Sequence, residues 1–302
     1  LSLLAYGIKP GDEVITTPYT YFSTAMVISN IGAKPVFVDI DPESFTIDVK
    51  KIEKVITKKA RAIIPVHLYG QSADMDPVIA LAKKYKLTII EDCCQAVNAR
   101  YKGKILPVTE TGAFSFYPGK NLGAYGDGGA LVTDNPRVAD RMMHLRNDGS
   151  TKKYVHQMFG YKSRLDGIQA AILSVKLPHL DEWTEKRRHR ARSYTKLLAD
   201  VKQVQTPKEM PWGKHVFHCY VVVCKRRDAL RKYLTSHGSV TVIHYPIPIH
   251  LQKPYRTIGF KTGMFPVTEN RCKHILSLPM FPELTQKEVE YVASTMRRFY
   301  SS

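Results

Sequence analysis

Strand-like and helix-like stretches alternate along the first 180 residues. The short apolar runs that have the character of buried strands are 36–38, 62–66, 87–90, 113–116 and 130–132, and the helix-like stretches lie near 22–31, 48–57 and 76–85. This alternation is typical of a largely parallel sheet that helices cover on both faces. We therefore predict an α/β fold with a mostly parallel central sheet.

The pattern changes after a basic stretch, residues 186–192, which has the character of a long linking helix with a solvated face. A strand over 216–224, a helix over 227–237, a strand over 239–243 and a helix from Thr285 are predicted to follow. The last helix begins with the capping box Thr285–Glu288. Because 302 residues exceed the usual size of one domain, we predict a large domain over 1–180 and, over 181–302, the linking helix with a smaller α/β domain.

Lys120 lies in the segment Ser115–Gly123, just before the glycine-dense turn Gly126–Gly129. Strand-like runs flank this segment, so Lys120 is predicted to lie on a tight connection between two core strands. Asp92 follows the strand-like run 87–90. Ligands of open α/β sheets bind beyond the carboxyl ends of the strands. We therefore expect Asp92 and Lys120 to share one cleft.

An amine and a carboxylate in one cleft suit pyridoxal phosphate. This cofactor needs a lysine that binds it as a Schiff base, and an acid that keeps its pyridine nitrogen protonated. The residues also allow simpler interpretations. Asp92–Gln95 fits a helix capping box, and a loop lysine is more often solvated than catalytic. The two roles for Asp92 do not exclude each other.

Several motifs resemble those of the DegT/DnrJ/EryC1/StrS sugar aminotransferases, in that family's order, over essentially the whole chain. These segments are Gly11–Ile15, Gly32–Asp39, Glu91–Ala96, Gly112–Gly123, Gly126–Gly129, Arg146–Gly149, Ser163–Asp166, Gln169–Leu173 and Ile275–Pro279. The resemblance implies fold type I of the pyridoxal-phosphate enzymes, an aspartate-aminotransferase-like architecture with a large cofactor domain and a smaller C-terminal domain. It also implies a homodimer with active sites at the dimer interface.

The resemblance assigns roles to individual residues. Lys120 becomes the Schiff-base lysine and proton shuttle, and Asp92 the partner of the pyridine nitrogen. Gln95 reaches the ring hydroxyl, Ser115 binds the cofactor phosphate, and Tyr21 stacks on the pyridine ring. From the residues alone, Tyr21 is more often a core side chain and Ser115 an ordinary strand serine.

The chain departs from the family at two places. Lys162 stands where the family has an asparagine that reaches the cofactor phosphate of the neighbouring subunit. A lysine binds phosphate as a point charge, so the role is carried over to Lys162, with an exposed surface lysine as the alternative. The sequence also opens in the middle of the family pattern, at Leu1–Gly7. We therefore expect a fragment that lacks the N-terminal part of the large domain.

The segment His244–Gln252 is expected to determine which substrate the protein binds. It resembles members that aminate the 3-position of dTDP- or UDP-linked keto sugars more than members that act at the 4-position. Tyr245 and His250 are the candidate substrate residues, with structural packing as the alternative for either flanking histidine. Glutamate is the amino donor that the family implies.

The net charge of +18 allows nucleic-acid binding or an anionic small substrate. No nucleic-acid-binding motif accompanies the charge, so we expect no specific nucleic-acid partner, and no apolar run approaches the ~20 residues that span a bilayer. The five cysteines, two of them adjacent, do not form a disulfide scaffold, which favours the cytoplasm. His218 and Cys224 would stand roughly 20 Å apart on one strand at ~3.3 Å per residue, too far for one zinc ion. No metal is therefore predicted.

The sequence thus predicts a homodimeric pyridoxal-phosphate-dependent aminotransferase that converts a nucleotide-linked keto sugar to an amino sugar. Dehydratases of this family carry histidine in place of the lysine, so Lys120 favours amino transfer over that branch. The alternatives are a 4-position aminotransferase, another pyridoxal reaction on the same fold, a basic nucleic-acid-binding regulator, and a catalytically inactive relative.

Overall fold

The structure is a computed structural model that describes residues 1–301. Its strands are β1 (Glu13–Thr16), β2 (Lys34–Phe37), β3 (Ala60–Ile63), β4 (Thr88–Ile89), β5 (Glu91–Asp92), β6 (Arg100–Tyr101), β7 (Lys104–Ile105), β8 (Thr111–Ser115), β9 (Gly129–Thr133), β10 (Ser150–Lys152), β11 (Val155–His156), β12 (Val204–Gln205), β13 (Gly213–Lys214), β14 (Tyr220–Cys224) and β15 (Ile275–Leu278). Its α-helices are α1 (Ser2–Ala5), α2 (Ser23–Asn30), α3 (Val49–Ile52), α4 (Met75–Tyr85), α5 (Pro136–Leu145), α6 (Gly167–Lys176), α7 (Leu180–Leu198), α8 (Arg227–Ser236), α9 (Lys253–Arg256), α10 (Pro266–His274) and α11 (Gln286–Ser301). Short 3₁₀ turns lie at Glu53–Val55, Leu68–Gly70, Leu177–His179 and Ile249–Leu251.

The predicted parallel sheet is present in the first half of the chain. Four strands lie in the order β2-β1-β3-β4, and each neighbouring pair is parallel. A second sheet, β5-β8-β9, follows, with β5 and β8 parallel and β8 and β9 antiparallel. A parallel bridge between Val66 and Asp92 brings the end of the first sheet alongside the second. The α/β fold class is therefore confirmed.

The central strand β1 shows why this part of the chain forms a covered sheet. Val14 and Ile15 are both fully buried, and they belong to separate apolar clusters because successive side chains of a strand point to opposite faces. Ala62 and Ile63 of β3 divide between the same two clusters. Apolar side chains on both faces leave the carboxyl ends of the strands as the place for polar side chains.

The last third of the chain builds a separate antiparallel sheet, β12-β14-β15. Helices α7, α8 and α11 pack against it around one cluster that contains Tyr194, Tyr220 and Met296. The predicted capping box is present at the start of α11: the Thr285 backbone N–H donates to Glu288 Oε2 at 2.7 Å, and the Glu288 N–H donates to Thr285 Oγ1 at 3.2 Å. Helix α7 begins at Leu180, but the division into two domains there stays a prediction.

Two predicted strands of this part are wrong in extent. Of the strand predicted over 216–224, only Tyr220–Cys224 is present, because Phe217 has a φ of 44° and breaks the extended backbone. The zinc argument that placed His218 and Cys224 on one strand therefore loses its geometric premise. The strand predicted over 239–243 is reduced to one bridge between Val242 and Ser277.

The capping-box interpretation of Asp92–Gln95 is also wrong. Asp92 ends β5, and turns rather than a helix follow it. The Asp92 side chain accepts a hydrogen bond from the Cys94 N–H, two residues on, as in an Asx turn. The Gln95 side chain, which would complete the box, binds Tyr69 and Tyr245 instead.

The basic stretch 186–192 lies within α7, as predicted, but its face is only partly solvated. Arg187 is buried, and its guanidinium donates to the backbone oxygens of Phe217 at 3.2 Å and Met280 at 2.9 Å. Arg188 is largely covered and forms an ion pair with Glu209. Among residues 1–301, no helix combines the length and the apolarity that a membrane crossing requires.

Candidate functional site

Asp92 lies at the carboxyl end of β5, beside Ala113 of the neighbouring parallel strand β8. Both of its carboxylate oxygens are held. The Thr24 hydroxyl donates to Oδ2 at 2.8 Å, and the Cys94 N–H donates to Oδ1 at 3.1 Å. Hydrogen bonds to a charged acceptor are stronger than those between neutral groups. The carboxylate is therefore fixed in one orientation at the edge of the sheet.

Gln95 connects this edge to the C-terminal part of the chain. Its amide oxygen accepts from the Tyr69 N–H at 2.8 Å, and its amide nitrogen donates to the Tyr245 hydroxyl at 2.9 Å. The rings of Tyr245 and Tyr21 lie 6.0 Å apart, and Tyr21 is 59 % exposed rather than part of the core. Burial, with further contributions from Cys219 and Asp92, raises the pKa of Tyr245, so its hydroxyl stays protonated. Asp92, Gln95, Tyr21 and Tyr245 thus belong to one site.

Lys120 lies on the connection between β8 and β9, as the sequence predicts, but β9 is a largely exposed edge strand rather than a core strand. The turn is tight. Gly123 passes so close to the backbone of Pro118 that a Cβ atom there would lie 2.3 Å from the Pro118 oxygen. The Lys120 ammonium has no hydrogen bond or ion pair within residues 1–301. A cation held by nothing in the folded chain is available to a ligand.

Cys94 shows that Lys120 and Asp92 are neighbours. Burial and Asp92 raise the pKa of its thiol, whereas the charge of Lys120 lowers it. The charge of Lys120 also lowers the pKa of His218 and His244, after burial, which is the larger cause for both imidazoles. The structure therefore brings Lys120 to the same region as Asp92 and adds two histidines to it. Ser115, half-buried at the end of β8, accepts from the Tyr117 N–H at 3.3 Å.

Three residues of this region were missed by the sequence reasoning: Thr24, Asn121 and His218. Asn121 is buried, and its amide nitrogen donates to the Val216 oxygen at 3.2 Å. Its amide oxygen therefore faces His218 Nδ1, also at 3.2 Å, and accepts the proton that this nitrogen carries. Asn121 directly follows Lys120, which is a usable signal. His218 stands 97 positions after Asn121 in the sequence, and nothing in that separation signals the contact.

Two of the predicted site residues lie elsewhere. His250 is fully buried, and its Nε2 lies 3.0 Å from Glu269 Oε1, against the ring of Phe265. This burial favours the structural-packing alternative for His250, and the substrate role expected of it stays a prediction. Lys162 is exposed and pairs through its backbone with Asn147, apart from the residues around Asp92.

A second polar cluster consists of His67, Glu91 and Cys93, whose ligand-type atoms lie within 4.8 Å of one another. Both nitrogens of His67 are already in use: Nδ1 accepts from the Ala73 N–H at 3.1 Å, and Nε2 lies 2.8 Å from Glu91 Oε2. Burial keeps the pKa of the Cys93 thiol well above its ordinary value. An imidazole whose two nitrogens are both engaged has no lone pair left for a metal. The cluster is structural.

The residues around Asp92 suit pyridoxal phosphate. The cofactor brings an aldehyde, a basic pyridine nitrogen, a flat aromatic face and a phosphate. The site offers, in turn, the unpaired amine of Lys120, the fixed carboxylate of Asp92, the exposed ring of Tyr21 and the hydroxyl of Ser115. Each chemical group of the cofactor has a complementary side chain.

Comparisons with known proteins concern the chain as a whole. The family model described as the DegT/DnrJ/EryC1/StrS aminotransferase family matches residues 1–297. A pleiotropic regulatory protein of Geobacillus stearothermophilus is 50 % identical over 99 % of this chain and 82 % of its own length. A dTDP-3-amino-3,4,6-trideoxy-alpha-D-glucose transaminase of Streptomyces venezuelae is 42 % identical over 99 % of this chain and 80 % of its own length.

Among solved structures, the fold superimposes on that of S. venezuelae DesV in complex with a ketimine intermediate, with a TM-score of 0.98. The two chains are 42 % identical, and the match covers 100 % of this chain and 81 % of the other. The near-identical fold extends the agreement from the motifs to the backbone of the whole described chain.

Proposed function

Because the chain belongs to the DegT/DnrJ/EryC1/StrS aminotransferase family and is a pyridoxal-phosphate-dependent sugar aminotransferase, we propose that it transfers an amino group from glutamate to carbon 3 of a nucleotide-linked keto sugar. One observation carries the proposal. The unpaired Lys120 amine lies in the same region as a carboxylate, Asp92, that two donors fix at a strand end. The product is an amino sugar for glycan or secondary-metabolite synthesis.

Each residue of the site has a proposed task. Lys120 binds the cofactor covalently and then moves a proton at its Nζ, and Asp92 keeps the pyridine nitrogen protonated. Pyridoxal phosphate, when bound, stores the amino group between the two half-reactions and accepts electrons from the substrate. Tyr21 holds the ring from one face, and Gln95 and Ser115 bind the ring hydroxyl and the phosphate. Thr24 orients Asp92 through its hydrogen bond.

The substrate class is supported by two features. The printed name of the Streptomyces venezuelae relative places its amino group on carbon 3 of a dTDP-linked deoxy sugar. A net charge of +18 attracts a substrate that carries a diphosphate. Tyr245, whose hydroxyl contacts Gln95, is the proposed substrate residue on the C-terminal side of the site.

A second copy of this chain is the proposed partner. Large apolar side chains are exposed on β9, on the β10–β11 hairpin and on α6, where soluble monomers seldom leave so much apolar surface together. These residues are Leu131, Val132, Tyr154, Val155, Phe159, Ile168 and Val175, which we call the apolar face. Lys162 follows the same hairpin, so the partner's copy of Lys162 would reach the cofactor phosphate.

All five cysteines are free, which supports a cytoplasmic enzyme.

The test separates the two half-reactions. Purified protein is loaded with pyridoxal phosphate and mixed with glutamate, and the change in cofactor absorbance is followed. The nucleotide keto sugar is then added, and the position of the new amine is read from the NMR spectrum of the product. An amine on carbon 3 supports the proposal. An amine on carbon 4 would instead favour the alternative, a 4-position aminotransferase. If glutamate did not change the cofactor absorbance, the proposal that glutamate is the amino donor would be overturned.

The competing function is a basic nucleic-acid-binding regulator, and only the net charge favours it. DNA binding that falls steeply with added salt and ignores sequence would reflect that charge alone. Discrimination between DNA sequences at constant salt would support the regulator.

A further inference from the structure

A cavity of about 180 Å³ lies beside the proposed site, on its C-terminal side. His218 and His244 contribute their imidazoles to its lining, with Ser277 and Met280 further along the wall. Val240, which is 75 % exposed, marks the opening to solvent. No aspartate or glutamate lines this cavity in the part of the chain that the structure describes. We call it the histidine cavity.

Positive charge borders the histidine cavity. The charge of Lys120 lowers the pKa of both His218 and His244. The Lys120 ammonium forms no ion pair with an acidic residue within residues 1–301. Arg187 is buried and donates to the backbone oxygens of Phe217 and of Met280, which lines the cavity. Its Nε has no hydrogen-bond partner among residues 1–301. Burial lowers the pKa of Arg187 to about 10, so the guanidinium is still charged at neutral pH. The charge of Glu283 raises the pKa of Arg187, but Glu283 forms no ion pair with it within residues 1–301, so a closer anion would neutralise the positive field further.

The imidazoles offer matching contacts. His218 carries its proton on Nδ1, which Asn121 binds, so its Nε2 is left as a bare acceptor. His244 Nδ1 lies 2.8 Å from Ser277 Oγ, so its Nε2 is also left for a ligand. Burial, and after it the charges of Lys120, Arg187, His244 and His215, lower the pKa of His218. An anion in the cavity would oppose the effect of these charges and favour protonation of the imidazole.

We infer that the histidine cavity is the subsite for a carboxylate of the amino donor. The inference rests on the proposed function and deepens it, because it names the side chains that recognise the donor. The carboxylate enters beside Lys120, and the imidazole of His218 takes up one proton at Nε2. The resulting imidazolium and carboxylate form a charge-assisted hydrogen bond. No covalent bond is made or broken in this step.

Binding is tested with glutarate, a five-carbon dicarboxylate that has no amino or keto group and cannot react. Titration calorimetry of the cofactor-loaded enzyme, in buffers with different ionisation enthalpies, measures the affinity and the protons taken up. We expect proton uptake, and an affinity that falls as pH rises. His218→Gln should weaken binding about tenfold or more, while His189→Gln, an exposed histidine on α7, should leave it unchanged. Equal affinity in wild type and His218→Gln overturns the inference.

A second pair of variants avoids any disturbance of the imidazoles. Val240 lies exposed at the opening, so a charged residue there can be accommodated without repacking the core. Val240→Glu should weaken glutarate binding about threefold by repulsion, and Val240→Lys should not weaken it, at the same low salt concentration. Identical affinities of the two variants would mean that the anion binds elsewhere.

Kinetics distinguish this inference from the proposed function. His218→Gln should raise the KM for glutamate, while the reverse half-reaction with the nucleotide amino sugar keeps its rate. If both half-reactions slow equally, His218 serves the cofactor and the donor subsite is wrong. If wild type binds glutarate with proton uptake but aminates no nucleotide sugar, the subsite stands and the proposed acceptor is wrong.

Discussion

Asp92 and Lys120 are held in opposite ways. Two hydrogen bonds fix the Asp92 carboxylate, whereas the Lys120 ammonium contacts no acceptor in the described chain. A group that only has to stabilise a charge benefits from a rigid position. A group that must form a bond and then move a proton benefits from the absence of competing partners. The difference between the two side chains therefore fits their proposed tasks.

Lys120→Ala should abolish covalent attachment of the cofactor and amino transfer, because it removes the amine that the proposed function requires. The change should leave the thermal midpoint nearly unchanged, since the Lys120 ammonium has no hydrogen bond or ion pair within residues 1–301. Borohydride reduction followed by peptide mass spectrometry measures the attachment. Lys104→Ala, at another exposed lysine, is the control. Cofactor found on a different lysine in Lys120→Ala would remove Lys120 from this role.

Asp92→Asn should bind the cofactor but slow the glutamate half-reaction by at least ~10²-fold. The amide keeps one oxygen, which can still accept from either Thr24 or Cys94, but it carries no charge that would keep a pyridine nitrogen protonated. Stopped-flow absorbance after mixing with glutamate measures the rate. Thr24→Val is the companion variant, since it loosens the carboxylate without removing its charge and should slow the reaction less. Equal rates for wild type and Asp92→Asn would contradict the assignment.

At the scale of elements, the strands of the parallel sheet were predictable because their residues are apolar on both faces. The sequence did not reveal that 216–219 leaves the extended conformation. There the rings of His215 and Phe217, two residues apart, stack at 3.9 Å. Gly70, which is distant in sequence, passes close to Val216. Neither contact can be read from the local sequence. Asp92–Gln95 has the residue types of a helix capping box, but these four residues alone do not reveal that the Gln95 side chain forms its hydrogen bonds with Tyr69 and Tyr245. The position of Asp92 was predictable because it stands at a strand end, and that of Lys120 because strand-like runs flank its segment. The position of His218 was not, since only the fold brings it to Asn121.

The end of β5 depends on a buried carboxylate, that of Glu91, and on the hydrogen bonds that it accepts. Glu91 accepts from the N–H groups of Val108 and Thr109 and lies 2.8 Å from His67 Nε2. Burial alone would raise the pKa of Glu91, but the hydrogen bonds from His67 and Thr109 outweigh it, so the net shift is downward. The carboxylate is thus charged in the folded protein and fixes the strand that carries Asp92.

The lowered pKa of Glu91 predicts a specific dependence of stability on pH. A carboxyl whose pKa falls on folding stabilises the native state above its unfolded pKa, and that contribution is lost as pH falls through the folded pKa. Urea unfolding should therefore show less stability in acid for wild type. Glu91→Gln should cost on the order of 3 kcal/mol near neutral pH and show a smaller acid loss. If the free energy of unfolding of wild type and of Glu91→Gln fell in parallel from neutral to acidic pH, the assignment would be contradicted.

At the scale of the whole molecule, the apolar face is the largest feature that the described chain does not cover. Strand β9 is at the edge of its sheet, and its Leu131 and Val132 are exposed. Ile168 and Val175 are seven residues apart and therefore lie on one side of α6, both about 70 % exposed. An exposed sheet edge and an exposed apolar helix side are both features of interfaces between subunits.

The proposed dimer predicts a mass in solution of twice one chain, measured by sedimentation. Ile168→Asp combined with Val175→Asp should give monomers with little amino transfer, because two charges would have to be buried at the interface. Ile258→Asp, at an apolar residue that is also exposed but lies after α9, should remain dimeric. A double variant that sediments like wild type would place the interface elsewhere.

The apolar face also makes dilution a variable in every measurement on this enzyme. If a partner's Lys162 completes the phosphate site, assembly and cofactor affinity are thermodynamically linked, and each must strengthen the other to the same extent. By mass action, a dilute enzyme would then lose its cofactor as its subunits separate, while added cofactor would draw the subunits together. Activity per subunit would therefore rise with enzyme concentration until the dimer is fully formed.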